Sequence, residues 1–179
     1  MKFAYADPPY YGCCGLYDHH HPDGKCWDDW ETHQMLTYRL MDEYPDGWAV
    51  SMTSGNLIDL VLHLPLPPGT RVAAWVKPFA SFKPNVNPAY TWEPVIFYGG
   101  RKRDRDQPTI KDHLAQVITL QKGLTGAKPE PFCRWILDLL GWLPGDDLVD
   151  LFPGTFVMDR TVTAAKAELP LWTQSEVTA

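Results

Sequence analysis

The chain has 179 residues, of which 45% are hydrophobic, and its formal net charge is −6. This composition predicts one globular domain with a hydrophobic core, and it excludes wholesale disorder, collagen-like repeats and a small disulfide scaffold. Because no run approaches the roughly 18 apolar residues that span a bilayer and residues 1–7 lack a signal-peptide pattern, we expect a cytoplasmic protein without a membrane segment, whose four cysteines are free thiols.

Strand and helix patterns alternate along the first half of the chain. Residues 2–6 are an apolar run that stops at Asp7-Pro8-Pro9, which predicts a short buried strand. Residues 11–30 are rich in glycine, histidine, cysteine and aspartate, and they predict a long loop. The remaining predicted elements of this half are a helix at 32–44, a strand at 47–52, a helix from Ser54, its cap, to His63, and a strand at 71–76.

The second half continues this alternation. Residues 131–140 predict an amphipathic helix, with Pro129 and Pro131 at its first turn and Gly141 at its end. The other predicted elements are strands at 94–98 and 147–152, a short helix at 110–119 and a last helix at 157–168. Alternating strands and helices predict an α/β fold with a mostly parallel sheet, in which ligands bind beyond the carboxyl ends of the strands.

The first predicted strand ends in the tetrapeptide Asp7-Pro8-Pro9-Tyr10. The prolines stiffen the backbone and leave carbonyl groups free to accept hydrogen bonds, Asp7 adds a carboxylate acceptor, and Tyr10 adds a ring that can stack on a flat ligand. Such a set suits a planar amine, for example the exocyclic amino group of adenine or cytosine. Two acceptors on its N–H groups would draw the nitrogen toward sp³ geometry and free its lone pair for attack on a methyl sulfonium.

The strand that contains Asp150 leads through Phe152-Pro153-Gly154-Thr155 toward the last predicted helix. Glycine lets a ligand approach the backbone closely, and a helix start favours a carboxylate or a phosphate. Upstream, Lys128-Pro129 precedes the amphipathic helix. These residues predict a second ligand-binding segment.

Together the two segments resemble the amino-methyltransferases that modify adenine N6 or cytosine N4. The Asp-Pro-Pro-Tyr motif is characteristic of that family, and Lys128-Pro129 with the loop from Asp150 to Thr155 resembles its S-adenosylmethionine half. The catalytic motif comes first and the cofactor motif last, an order similar to that of the circularly permuted phage DNA methylases and the MT-A70-like enzymes. The resemblance runs over residues 1–160 and implies a permuted, Rossmann-like methyltransferase fold with a mostly parallel sheet.

The resemblance also implies roles within a single methyltransferase domain over residues 1–179. Residues 1–78 would form the catalytic half, 79–128 a basic region that contacts the target, and 129–179 the cofactor-binding half. The implied catalytic residues are Asp7, Pro8, Pro9 and Tyr10. The implied S-adenosylmethionine contacts are Lys128, Pro129, Asp150, Phe152, Pro153, Gly154 and Thr155.

Two features depart from the family pattern. The family's loop commonly reads Phe-x-Gly-x-Gly, but Phe156 stands where the second glycine would be. The family also often places an acidic residue after the next strand to hold the ribose hydroxyls. The only acids after Thr155 are Asp159, Glu168 and Glu176, and none fits that role well. Both departures bear on whether the chain binds the cofactor.

Charge is distributed unevenly along the chain. Residues 71–128 hold ten basic and four acidic side chains, whereas residues 1–70 and 129–179 are both net acidic. A basic middle predicts either a local phosphate-binding face or a solvated loop. The nucleic-acid contacts that we expect are His21, Lys77, Lys83, Arg101, Lys102 and Arg103.

The loop at 11–30 holds a cluster of metal-ligand residue types, namely Cys13, Cys14, His19, His20, His21 and Cys26. Cysteine and neutral histidine bind zinc, but this spacing matches no recognised finger. We therefore predict no metal site and expect the loop to fold over the substrate.

The leading interpretation is an S-adenosylmethionine-dependent DNA adenine-N6 methyltransferase that acts on a base flipped out of the duplex. The alternatives are a cytosine-N4 methyltransferase, an RNA adenine methyltransferase and a non-catalytic nucleic-acid-binding subunit that keeps the fold. Methylation of a protein amide would use the same chemistry, but it usually has Asn in place of Asp7. A homodimer or a partner subunit is compatible with the sequence.

Overall fold

The computed structural model describes residues 1–16, 24–79, 86–118 and 127–168. Its strands are β1 (Lys2–Ala6), β2 (Gly47–Ser51), β3 (Arg71–Val76), β4 (Trp92–Gly99), β5 (His113–Ala115) and β6 (Asp147–Asp150). Its α-helices are α1 (Trp30–Glu43), α2 (Leu57–His63), α3 (Glu130–Leu140) and α4 (Val157–Ala167), and short 3-10 helices lie at Cys14–Leu16, Gly24–Asp28 and Ser54–Asn56. Within the described part of the chain, no helix has both the length and the apolar composition that crossing a membrane requires.

The six strands form one sheet in the order β5-β3-β4-β2-β1-β6. β1 is parallel to β2 and to β6, and β3 is parallel to β5, whereas β4 is antiparallel to both of its neighbours. The α/β fold with a mostly parallel sheet is thereby confirmed. The first strand of the chain and the last described strand are neighbours, with Ala4 opposite Val149.

Helices cover both faces of this sheet. The alternation of β1 sends Phe3 and Tyr5 toward α3 and α4, and it sends Ala4 and Ala6 toward α1 and α2. Each face therefore has its own core. Burial of a large apolar side chain in either core stabilises the fold by about 2 kcal/mol, and these two cores fix the strand ends that carry the polar motifs.

The ends of the helices agree with the sequence in part. α3 begins after Pro129 and ends at Gly141, whose φ of 63° is the left-handed conformation that glycine favours, as predicted. The prediction that Ser54 caps a helix is wrong. The hydroxyl of Thr53 accepts the bond from the Gly55 amide, a 3-10 helix follows, and α2 begins only at Leu57.

Two predicted elements in the second half need correction. The helix predicted at 110–119 is wrong over its described residues, because residues 113–115 extend beside β3 as β5. Backbone bonds from Ala74 to Asp112 and from Gln116 to Val76 hold this pairing. β6 also ends at Asp150, two residues before the predicted end, because the Asp150 carboxylate accepts the Phe152 amide and turns the chain away.

Candidate active site

Two edges of the sheet have different chemistry. At one edge lie the carboxyl ends of β1, β2, β3, β5 and β6 and the start of β4; we call it the carboxyl edge. At the other, the opposite edge, β4 ends and β2 begins, since Gly99 pairs with Gly47. The five residues of β1 separate the two edges by about 15 Å.

The Asp7-Pro8-Pro9-Tyr10 segment leaves β1 at the carboxyl edge and is held in place by its neighbours. Pro8 is buried, and the Tyr10 carbonyl accepts the Cys13 amide at 2.9 Å. The next residue, Tyr11, stacks on Trp30 with 4.1 Å between ring centroids, and its carbonyl accepts a bond from Asn56. The start of α1 and the segment before α2 therefore fix this turn.

Asp7 lies in a cluster of two carboxylates and two ammonium groups. The Lys128 ammonium donates to both Asp7 oxygens, at 2.7 and 2.8 Å, and lies 3.6 Å from Glu93. Lys77 donates to the other oxygen of Glu93. We call Asp7, Lys77, Glu93 and Lys128 the carboxylate–lysine cluster.

Tyr10 joins the two carboxylates of this cluster. Its hydroxyl lies 3.1 Å from Asp7 and 3.2 Å from Glu93, and it accepts a bond from Lys128 at 3.1 Å. A hydroxyl has one proton, so it donates to one carboxylate at a time. Asp7 and Glu93 are therefore close enough to accept hydrogen bonds from the same small group.

The two carboxylates differ in acidity. Burial raises the pKa of Asp7 above its ordinary value, although the charge of Lys128 opposes this. Burial also acts to raise the pKa of Glu93, but Lys128 and Lys77 together outweigh it, so that the pKa of Glu93 is lowered. Glu93 thus stays ionised more readily than Asp7.

Aromatic rings surround the cations of the cluster. The Lys128 ammonium is within 6.0 Å of the ring centroids of Tyr10, Trp75 and Phe132, and the Lys77 ammonium is 4.8 Å from that of Trp75. Aromatic faces attract cations, more strongly where water is excluded. The space beside Asp7 is therefore built to hold a positive charge.

The β6 loop carries a third carboxylate to the same edge. Asp150 pairs with Tyr5 of β1, and burial, with smaller effects of Asp159 and Asp7, raises its pKa to about 6. Its side chain accepts the Phe152 amide at 3.0 Å, while Pro153 and Gly154 are exposed and Thr155 is half-buried. The loop thus presents accessible backbone next to an ionisable carboxylate.

An apolar pocket lies beside Tyr10 on the α1 and α2 face of the sheet. Its walls include Tyr10, Tyr11, His33, Trp48, Asn56 and Leu60. The cavity volume is about 20 Å³, which is room for about one water molecule. This pocket is therefore too small to enclose a ligand the size of a nucleobase.

The structure brings together residues from distant parts of the sequence. Asp7, Tyr10, Lys77 and Lys128 meet in the carboxylate–lysine cluster, with Pro129 at the start of α3 and the β6 loop at the same edge. Lys128 bonds to Asp7 itself, a contact that the sequence does not predict. Glu93 was missed. An acid at the start of an otherwise apolar strand, Trp92–Gly99, is the sequence signal that could have revealed it.

The basic residues of 101–103 are not brought to this edge. Arg101 follows β4 at the opposite edge, where its guanidinium holds both oxygens of Asp146 at 2.7 and 2.8 Å, and Arg103 bonds the carbonyl of Asp138. Lys102 is exposed nearby. The antiparallel direction of β4 is the reason, since it carries the chain away from Asp7.

His21 and Lys83 lie outside the described residues, as does part of the cysteine and histidine cluster. Cys13, Cys14, Cys26 and Cys133 are free thiols. Over residues 1–16, 24–79, 86–118 and 127–168, no three histidine, cysteine or acidic side chains are grouped closely enough to hold a metal ion.

The comparison with solved structures finds a likeness in fold. No family model matches the sequence, and no curated protein matches it. Among solved structures, the crystal structure of the M1.HpyAVI–SAM complex superposes with a TM-score of 0.58 over 93% of this chain and 79% of that chain, at 13% sequence identity. At this identity the likeness shows a shared architecture.

Proposed function

We propose that this chain is an S-adenosylmethionine-dependent DNA adenine-N6 methyltransferase. The observation that carries the proposal is the meeting of Asp7, Tyr10 and Glu93 at the carboxyl edge, one strand away from the β6 loop. The likeness in fold to a protein whose structure is a SAM complex supports the choice of cofactor. It does not bear on which base is modified, for which the support is the Asp-Pro-Pro-Tyr motif.

The carboxylates would act as acceptors for the target amine. Asp7 and Glu93 both lie within hydrogen-bond distance of the Tyr10 hydroxyl, so an exocyclic amino group bound beside this hydroxyl could donate one N–H to each carboxylate. These bonds draw the nitrogen toward sp³ geometry and localise its lone pair. Tyr10 supplies a ring on which a flipped base can stack.

When bound, the cofactor supplies an electrophilic methyl group on a sulfonium. The amine nitrogen would form a bond to the methyl carbon as the carbon–sulfur bond breaks, and the electron pair of that bond would remain on the sulfur as a thioether. The methylated amine then loses a proton, which either the Asp7 or the Glu93 carboxylate can accept. The methyl group passes directly from sulfur to nitrogen, so no covalent bond to the enzyme is required.

The residues at this edge fit such a cofactor. Asp150, ionised above its pKa, suits a cationic group, and the exposed backbone of Pro153 and Gly154 leaves a ligand room to approach. The Lys128 ammonium donates hydrogen bonds to both acceptor oxygens of Asp7. Binding of the target amine would displace it, and the carboxylate of the cofactor is a partner of opposite charge.

The order of elements supports the finer parts of the proposal, a circular permutation of the phage type. The strand with the Asp-Pro-Pro-Tyr motif precedes the strand with the glycine loop by more than 140 residues, yet the two are parallel neighbours, with Lys2 opposite Asp147. We keep the division into a catalytic half (1–78), a target-contacting region (79–128) and a cofactor half (129–179), and we place the protein in the cytoplasm.

Contacts to DNA in the proposal come from both edges. Lys77 lies at the carboxyl edge, where its ammonium is paired with Glu93. A phosphate near the flipped base could accept a second hydrogen bond from this ammonium. Arg101 is already engaged with Asp146, so Lys102 and Arg103 are better suited to a phosphate farther along the duplex. His21 and Lys83 remain proposals from the sequence.

The test is methyl transfer from labelled S-adenosylmethionine to unmodified DNA, followed by nuclease digestion and mass spectrometry. We expect N6-methyladenine with the unaltered chain and none with Asp7→Ala. N4-methylcytosine would correct the base, and transfer only to RNA would correct the polymer. No transfer together with no cofactor binding, measured by calorimetry, would replace the enzyme by a non-catalytic nucleic-acid-binding subunit.

A further inference from the structure

Phe156 has an unusual backbone. Its φ of 56° lies in the left-handed region, and it is the one non-glycine residue with positive φ among those that the structure describes. A side chain with a Cβ atom is strained in this conformation, and a bulky aromatic residue rarely adopts it. The loop therefore keeps the backbone shape that a glycine would favour while carrying a phenylalanine.

Burial does not compensate for this strain. The Phe156 side chain is 55% exposed. Phe152, in the same loop, instead packs edge-on against Trp27 with 5.1 Å between centroids. One phenylalanine of the loop thus contributes to folding and the other turns outward. Strained residues that persist without a packing reason occur preferentially at functional sites.

The surroundings of Phe156 leave its ring available to a ligand. The ring-bearing loop leaves the carboxyl edge at β6, the outermost strand on this side, and no strand of the described residues lies beyond β6. The loop itself is held, since Arg160 donates to the Thr155 carbonyl at 2.9 Å. A Cβ atom added at Gly154 would meet only the Phe152 carbonyl, at 3.7 Å, so the space beside the loop is open.

We propose that the Phe156 ring stacks on the adenine of the bound S-adenosylmethionine and forms one wall of its binding site. The inference rests on the proposed function and adds a binding residue to it. An exposed aromatic face excludes water from one side of a purine and contributes stacking energy. It also explains why a strained phenylalanine stands where a glycine would relieve the strain.

Phe156 is better placed to stack on the adenine of the cofactor than on the target base. Of the acceptors for the target amine, Asp7 directly follows β1 and Glu93 lies near the start of β4. Phe156 follows β6, on the far side of β1 from β4. A base bound to Asp7 and Glu93 therefore lies toward β4, which leaves the space over the β6 loop to the adenine of the cofactor.

The test is calorimetric binding of S-adenosylhomocysteine, without DNA, to the full chain. Phe156→Gly and Phe156→Leu are expected to weaken binding about tenfold or more, and Phe156→Trp to retain it. Phe156→Gly should at the same time raise the melting temperature of the unliganded protein, because glycine relieves the backbone strain. Phe79→Leu, which alters another exposed phenylalanine at the same edge, is the matched control and should bind normally.

Opposite movements of stability and affinity in Phe156→Gly would distinguish a binding role from a merely structural one. Unchanged or tighter binding by Phe156→Gly would overturn the inference, since it would show that the ring crowds the site. If cofactor binding is unchanged and the KM for DNA is raised, the ring contacts the target base and the inference is likewise overturned. An unaltered chain that binds no S-adenosylhomocysteine would overturn the proposed function together with the inference.

Discussion

The two edges of the sheet each hold a carboxylate beside a cation, and the pKa values of the two carboxylates shift in opposite directions. At the opposite edge the Asp146 side chain is 6% exposed, and burial acts to raise its pKa, but bonds from the Met1 ammonium, Arg101 and the Leu143 amide outweigh this and lower it. At the carboxyl edge Asp7 is 22% exposed, and its pKa is raised in spite of Lys128. The partners of Asp146 thus outweigh the effect of burial on its pKa, whereas those of Asp7 do not.

The difference separates an ion pair that holds the fold from one that can exchange partners. Arg101 ties the end of β4 to the start of β6 through Asp146, so its removal acts on stability. Lys128 and Tyr10 each contact both Asp7 and Glu93, so that a ligand can replace one contact while others remain. Loss of a carboxylate should therefore affect folding at one edge and chemistry at the other.

The largest effect on stability is expected for Asp146→Ala. The substitution leaves the partly buried Arg101 guanidinium without its carboxylate, which should lower the free energy of unfolding by about 2–3 kcal/mol. Urea denaturation followed by circular dichroism measures it. Asp112→Ala, which removes the exposed partner of Arg71, is the matched control, with an expected loss below about 0.5 kcal/mol. Equal losses would show that Asp146 is no more than a surface charge.

The second-largest effect is expected for the pH dependence of S-adenosylhomocysteine binding, which Asp150 should control. Burial raises its folded-state pKa to about 6, so the stability that this group contributes is greatest at low pH and is lost as the pH rises through 6. The affinity for S-adenosylhomocysteine should change in the opposite sense and increase with pH, because the α-ammonium group of this ligand binds the ionised carboxylate of Asp150. Between pH 7.5 and pH 5 we expect S-adenosylhomocysteine to bind about tenfold more weakly, as the ionised fraction falls.

Calorimetry of S-adenosylhomocysteine at several pH values tests this dependence. Asp150→Asn should bind weakly and without the change near pH 6, whereas Asp147→Asn, on the same strand but exposed, should behave as the unaltered chain. A pH profile that is the same in the unaltered chain and in Asp150→Asn would show that another group governs binding.

The smallest effect is expected for Tyr10→Phe. It keeps the ring for stacking but removes the hydroxyl bonds to Asp7 and Glu93, worth about 1 kcal/mol, so the methyl-transfer rate should fall about fivefold. Tyr10→Ala should lose more, because stacking is lost as well. Single-turnover rates with saturating DNA measure both, with Tyr38→Phe on the exposed face of α1 as control. A Tyr10→Phe rate equal to that of Tyr10→Ala would assign the whole role to the hydroxyl.

Local patterns predicted most of the fold. The strand at 2–6 and the helix ended by Gly141 follow from apolar spacing and turn residues, which act over a few residues. β5 could not be predicted in the same way. Its three residues have too little pattern of their own, and they are extended because β3 offers them backbone partners.

The site was predictable to the extent that it is local. Asp7 to Tyr10 could be read as one motif, but Glu93 joins it from 83 residues beyond Tyr10, through the antiparallel insertion of β4 between β2 and β3. The same reversal of direction carries Arg101 to the opposite edge, which the basic composition of the region does not reveal. The left-handed backbone of Phe156 also depends on the surrounding loop rather than on its own propensity.

A comparison of Asp7→Ala with Asp146→Ala in single-turnover methyl transfer to DNA tests whether the chemistry takes place at the carboxyl edge. Rates are normalised to the folded fraction of each protein. We predict a loss of at least about 100-fold for Asp7→Ala and an unchanged rate for Asp146→Ala. A wild-type rate in Asp7→Ala, or equal losses in the two variants, would contradict the assignment of chemistry to the carboxyl edge.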